Sequence, residues 1–147
     1  MILTCHLLVG AAIANKIKFL PLAFFLAFLS HYFLDFIPHI DYSIKSIKGK
    51  KWEKSFPAFL KVILDISLGV LLISIFSKNQ PVIFVGAFFA ILSDGLNFLN
   101  LFFSNRILEI HYALHQKIHF FKNKKISFFW RIFSQILIVL TAIFFLR

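Results

Sequence analysis

Long apolar runs separated by short polar links dominate the chain. Four runs are long enough to cross a bilayer, which takes about 20 helical residues: 19–37, 57–77, 81–103 and 127–146. A fifth, 2–14, is short for a span; it crosses only if Lys16 and Lys18 extend to the interface, or else it enters part-way. Because backbone groups in hydrocarbon must be satisfied within the segment, the pattern predicts an all-α integral membrane bundle. It has about five helices and forms one domain over 1–147. The short links 15–18 and 78–80 make neighbouring helices antiparallel. Pro21, Pro57 and Pro81 sit near helix starts, where proline is tolerated, and Pro38 ends the second helix. Residues 104–126 read differently. Arg106, His111, His115, His119, Lys122, Lys124 and Lys125 are mixed there with Leu, Ile, Tyr and Phe, which predicts an amphipathic segment lying at the membrane interface.

Composition strengthens the membrane reading. Sixty per cent of the 147 residues are hydrophobic, 22 are Phe and only 15% are charged, against about 25% charged in soluble domains. The net charge of +10 would suggest nucleic acid in a soluble chain, but no aromatic–basic motif supports that partner. Here the cations fall between apolar runs, as topology signals and contacts to anionic lipid. If 2–14 crosses, Lys45, Lys48, Lys50, Lys51, Lys54, Arg106, Lys117, Lys122, Lys124 and Lys125 share one face, and Lys16, Lys18, Lys78 and Arg147 share the other. Ten against four makes the first face cytoplasmic, in a bacterial inner membrane. Trp52, Trp130 and Tyr32 read as interface anchors. The start of the chain lacks the basic region of a signal peptide and reads as mature sequence. The single Cys5 forms no intrachain disulfide and no thiolate zinc cluster.

The ionisable residues inside apolar runs carry the functional information. His6, His31, Asp35, Asp65 and Asp94 each cost at least ~2.5–3.5 kcal/mol in hydrocarbon if left alone. At 1.5 Å per helical residue, all five fall within roughly 5–15 Å of one face. Convergence of His and Asp from several helices on one layer is how bundles build metal sites. His31 and Asp35 are spaced i, i+4, on one helix face; His39 and Asp41 follow Pro38 at the mouth; His111, His115 and His119 repeat the i, i+4 spacing. Imidazole with carboxylate suits zinc, with manganese or iron as alternatives, and the missing thiolates favour an open, catalytic site. Each residue also has an ordinary use: His6 as a packing hydrogen bonder, Asp65 or Asp94 as a lysine partner or a cap, Asp41 as a turn residue, and the 111–119 histidines as a headgroup-facing surface.

Two stretches resemble a known family. Cys5-His6-Leu7-Leu8-Val9-Gly10-Ala11-Ala12 and Ser30-His31-Tyr32-Phe33-Leu34-Asp35-Phe36-Ile37-Pro38-His39-Ile40-Asp41 are similar to the small bacterial membrane-bound metal-dependent hydrolases. That family pairs an early His-x-x-x-Gly with a Pro-Asp-x-Asp. His39 stands in place of the first Asp of that pair. His115 and His119 stand in for the family's His-Arg-Gly-x-Thr-His element. The His-x-x-x-Asp spacing also resembles zinc-dependent phospholipase C and the P1-type nucleases.

The resemblance implies a membrane-embedded hydrolase working through metal-activated water, and a polar layer at headgroup depth rimmed by lysines points to a phospholipid or other lipid-linked phosphoester or ester as substrate. One or two divalent ions would be held by His6, His31, Asp35, His39, Asp65, Asp94, His115 and His119, with Asp94 or Asp41 as general base. Two other readings stand beside it: a metal-ion transporter subunit, whose ligands should recur through both leaflets, and a structural membrane protein glued by its polar layer.

Overall fold

A computed structural model describes residues 1–40, 55–103, 105–118 and 126–147. Among these residues there are six helices and no strand: α1 (Leu3–Lys16), α2 (Leu20–Phe36), α3 (Phe56–Phe76), α4 (Pro81–Leu99), α5 (Arg106–Ile118) and α6 (Phe128–Leu146). The all-α expectation holds. The expected number of clear spans does not, since three helices, α3, α4 and α6, are long and apolar enough to cross a membrane. α2 is apolar but has 17 residues. It starts after the extended Phe19 and stops at Phe36, because Pro38 disfavours helix in the residue before it, Ile37. α4 also ends earlier than its apolar run, in turns at residues 100–102 closed by Leu101 N–H to the Phe98 carbonyl and Phe102 N–H to the Leu99 carbonyl.

The shortest of the apolar helices lies at the centre. Ten of the 14 residues of α1 are buried, among them Gly10, Ala11, Ala12 and Ala14. Small side chains allow this. A Cβ added at Gly10 would meet the Ala90 Cβ at 2.5 Å and the Gly86 carbonyl oxygen at 2.6 Å, and one added at Gly86 would collide with Ala14. Gly10-x-x-x-Ala14 on α1 and Gly86-x-x-x-Ala90 on α4 thus bring two backbones together, the packing that replaces hydrophobic drive inside lipid. α3 contrasts with it. Only Ala58, Gly69 and Ile73 are buried along its 21 residues, while Leu64, Leu71 and Ile75 project outward.

Pair contacts fix the directions. α1 runs antiparallel to α2, with Met1 beside Asp35 and His6 against His31, and antiparallel to α4 through Gly10 and Gly86. It runs parallel to α3, where Thr4 meets Asp65, and to α6, where Cys5 meets Gln135 and Asn15 meets Phe145. The α3–α4 link turns at Asn79, whose φ of 53° is a left-handed value that Asn tolerates. Beyond α2, Ser134 Oγ–H donates to the Pro38 carbonyl and Gln135 Nε2–H to the Ile40 carbonyl, so α6 holds the exit of α2. The starts of α1, α3 and α6 and the ends of α2 and α4 therefore share one end of the bundle.

Candidate metal centre

At that end three imidazoles and two carboxylates meet. α2 supplies His31 and Asp35, one turn apart; α1 supplies His6, α4 Asp94 and α5 His115. His6 and His31 are fully buried, Asp35 and His115 nearly so, and Asp94 is 38% exposed. His31 Nδ1–H donates to the Ala90 carbonyl at 2.9 Å. A carbonyl only accepts, so this bond fixes the tautomer and leaves Nε2 as the free ring position, the usual support of a metal-binding histidine.

The surroundings of that Nε2 are chemically unusual. His115 Nε2 lies 2.9 Å away, Asp35 Oδ2 3.2 Å and Asp94 Oδ1 3.7 Å. His115 Nε2 lies in turn 3.2 Å from Asp35 Oδ2 and 3.8 Å from Asp94 Oδ1. Two ring nitrogens 2.9 Å apart can hold one hydrogen between them, because two would collide head-on. The two nitrogens thus share one hydrogen on the line between them, beside two carboxylate oxygens, in a setting where buried charge is expensive. A divalent cation would satisfy all four.

His6 adds to this. Its ring stacks on His31 with centroids 4.2 Å apart, Nε2 lies 3.3 Å from Asp35 Oδ1, and neither ring nitrogen has a hydrogen-bond partner among the described residues. The Met1 ammonium also reaches Asp35 Oδ1, at 2.8 Å, so the two oxygens of Asp35 face different neighbours.

Two groups of ligand atoms lie within 4.8 Å of one another, His31 with Asp35 and His115, and His6 with His31 and Asp94. The first, with edges of 2.9 and 3.2 Å, approximates the roughly 3.3 Å ligand separation of a tetrahedral ion bound at about 2.0–2.1 Å. Two imidazole nitrogens and one carboxylate oxygen are a donor set used by catalytic zinc and by non-haem iron.

Two residues predicted as ligands are used elsewhere. Asp65 accepts from Leu3 N–H at 2.6 Å, Thr4 N–H at 3.2 Å and Thr4 Oγ–H at 2.6 Å. It caps α1, whose first turn contains no acid of its own. His39 Nδ1–H donates to the Ile37 carbonyl at 2.6 Å. Neither belongs to the groups of ligand atoms found among the described residues. Asp41 and His119 lie outside the described residues.

A supporting layer was not foreseen. Tyr32, expected as an interface anchor, points its hydroxyl at His111 Nε2, 2.9 Å away, and the fully buried Ser93 hydroxyl lies 3.2 Å from the same atom. The His111 ring is nearly parallel to that of His115. Burial, then the neighbouring imidazoles of His115 and His31, holds its imidazole below the ordinary histidine range. The available signals were adjacency and spacing: Tyr32 follows His31, Ser93 precedes Asp94, and His111 is one turn before His115. α5 presents these histidines inward, while Ile107, Ile110 and Leu114 form an exposed apolar ridge beside the exposed Arg106, Glu109 and Lys117. No family model, curated protein or solved structure matches the chain.

Proposed function

We propose that the chain is an integral membrane, metal-dependent hydrolase acting on a phospholipid or other lipid-linked phosphoester or ester. The observation that carries this reading is the convergence of His31, Asp35, His115, Asp94 and His6, with the His31 and His115 ring nitrogens 2.9 Å apart beside two carboxylates. Zinc is the first choice of ion, with manganese or iron as alternatives, and one or two ions are considered. When bound, the ion supplies a Lewis acid and lowers the pKa of water. Within the protein, His31, Asp35 and His115 would form the holding set, with Ala90 orienting His31. Asp94, the most exposed of the cluster, takes the general-base role and accepts a proton from water at the mouth.

The apolar helices support membrane placement, and the excess of lysines in the sequence segments 45–54 and 117–125 supports, by the positive-inside rule, a site towards the cytoplasm of a bacterial inner membrane. The exposed apolar ridge of α5 beside His111 and His115 favours a substrate presented from the bilayer. Transport fits less well. Of the described carboxylates in the apolar helices, Asp35 and Asp94 lie towards one end and Asp65 is taken up by the start of α1, whereas a cation path needs ligands through both halves.

The test is elemental analysis of detergent-purified protein, wild type beside Asp35→Ala, followed by turnover of lipid phosphoesters. The expected result is stoichiometric zinc or manganese and turnover, both lost in the variant. Folded, metal-free protein in both samples would overturn the reading.

A further inference from the structure

A second site lies away from the His/Asp cluster. Between α1 and α6, with Leu34 of α2 at its inner end, runs an apolar groove of about 460 Å³, a volume in the range of ligand pockets. Val9, Ile13 and Lys16 line it on successive turns of α1, and Ile138, Thr141 and Phe145 do so on the parallel α6. The stretch from residue 9 to residue 17 makes it about 12 Å long. Its walls are dry. Thr141 contributes a hydroxyl that donates to the Leu137 carbonyl, and Lys16 is the other polar side chain of the wall.

The groove ends at a cation. Lys16 is exposed, and no described carboxylate lies within ion-pair distance of it. Asp35, Asp65 and Asp94 are at the opposite end of α1. Arg147, also at the Lys16 end, lies over the Phe76 ring, 5.1 Å from its centroid. A dry apolar channel capped by one such ammonium is complementary to an acyl chain joined to an anionic headgroup. We propose that the groove binds one acyl chain of an anionic phospholipid from the leaflet remote from the His/Asp cluster, with its phosphate on the Lys16 ammonium. This site uses none of the cluster residues and does not rest on the hydrolase reading.

Native mass spectrometry tests it on detergent-purified protein equilibrated with phosphatidylglycerol or chain-matched phosphatidylcholine. Wild type should retain one phosphatidylglycerol after loosely held lipid is stripped. Lys16→Gln should weaken that retention about five-fold and leave phosphatidylcholine unchanged, and Thr141→Trp, which fills the groove, should abolish both. Absence of retained lipid in wild type, equal retention of the two lipids, or full retention in Thr141→Trp would overturn the proposal. So would a dimer dissociated by Thr141→Trp, which would make a second copy the occupant. If Thr141→Trp does not fold, Lys16→Gln decides alone, because it leaves the walls intact.

Discussion

Asp35 and Asp65 look alike in sequence, single carboxylates within apolar runs of adjacent predicted helices, and both end beside the start of α1. Their surroundings are opposite. Asp65 faces donors: two backbone N–H groups and a hydroxyl satisfy its oxygens and, in return, cap a helix. Asp35 faces the Met1 ammonium on one oxygen and, on the other, the ring nitrogens of His31 and His115, which lie 2.9 Å apart. A carboxylate ringed by donors is finished as structure. A carboxylate set against two crowded imidazole nitrogens has surroundings that a cation would complete, and this difference in neighbours distinguishes the two carboxylates where depth and residue type do not.

The sharpest break in the comparison is Asp35→Asn. The change keeps the shape and removes the charge, so zinc affinity should fall by more than about 100-fold, beyond what loss of a supporting partner costs, as read by competition with a chromogenic chelator. Retention of wild-type affinity would return the cluster to the status of a hydrogen-bonded network. Asp65→Ala should do the reverse. With two backbone N–H groups orphaned at the start of α1, while the Thr4 hydroxyl keeps the residue-65 carbonyl, stability in a detergent unfolding titration should drop by about 2–4 kcal/mol, with metal stoichiometry unchanged in the folded fraction. Metal loss without destabilisation would show that Asp65 had been misassigned as a cap.

A disturbance to α1 itself should reach both regions. Gly86→Ala places a methyl group against Ala14 and the Gly10 carbonyl. The expected cost is about 1–3 kcal/mol, together with weaker metal binding, because Ala90 on the same helix orients His31. Destabilisation with wild-type metal affinity would show that the two regions are mechanically separate.

How much of this was legible follows from the same physics. Apolar periodicity located α3, α4 and α6 well because those helices face lipid over much of their surface. It undervalued α1, since a helix buried among other helices needs neither 20 residues nor uniform hydrophobicity, and its Gly10 and Ala14 are readable only against Gly86 and Ala90. His6, His31, Asp35, Asp94 and His115 could be assembled from depth and i, i+4 spacing. Asp65 could not be separated from them, because its partners are mostly backbone N–H groups that the sequence does not spell out. His39 was drawn in by its place after Pro38, where the local turn takes its Nδ1 instead.

The smallest expected effect tests where the cluster stops. Tyr32 sits next to a proposed ligand in sequence, yet its hydroxyl serves His111, which lies outside both groups of ligand atoms. Tyr32→Phe removes one of the two hydroxyls at His111 Nε2 and leaves Ser93 at 3.2 Å. One net hydrogen bond is worth about 1 kcal/mol, so zinc affinity should change by less than about five-fold in the chelator competition, with stability lowered by no more than the same amount. Such a result keeps Tyr32, Ser93 and His111 as a layer that steadies α5 and thereby His115. A loss as large as that of Asp35→Asn would instead move this layer into the site, and with it the boundary between residues that hold the ion and residues that hold the holders.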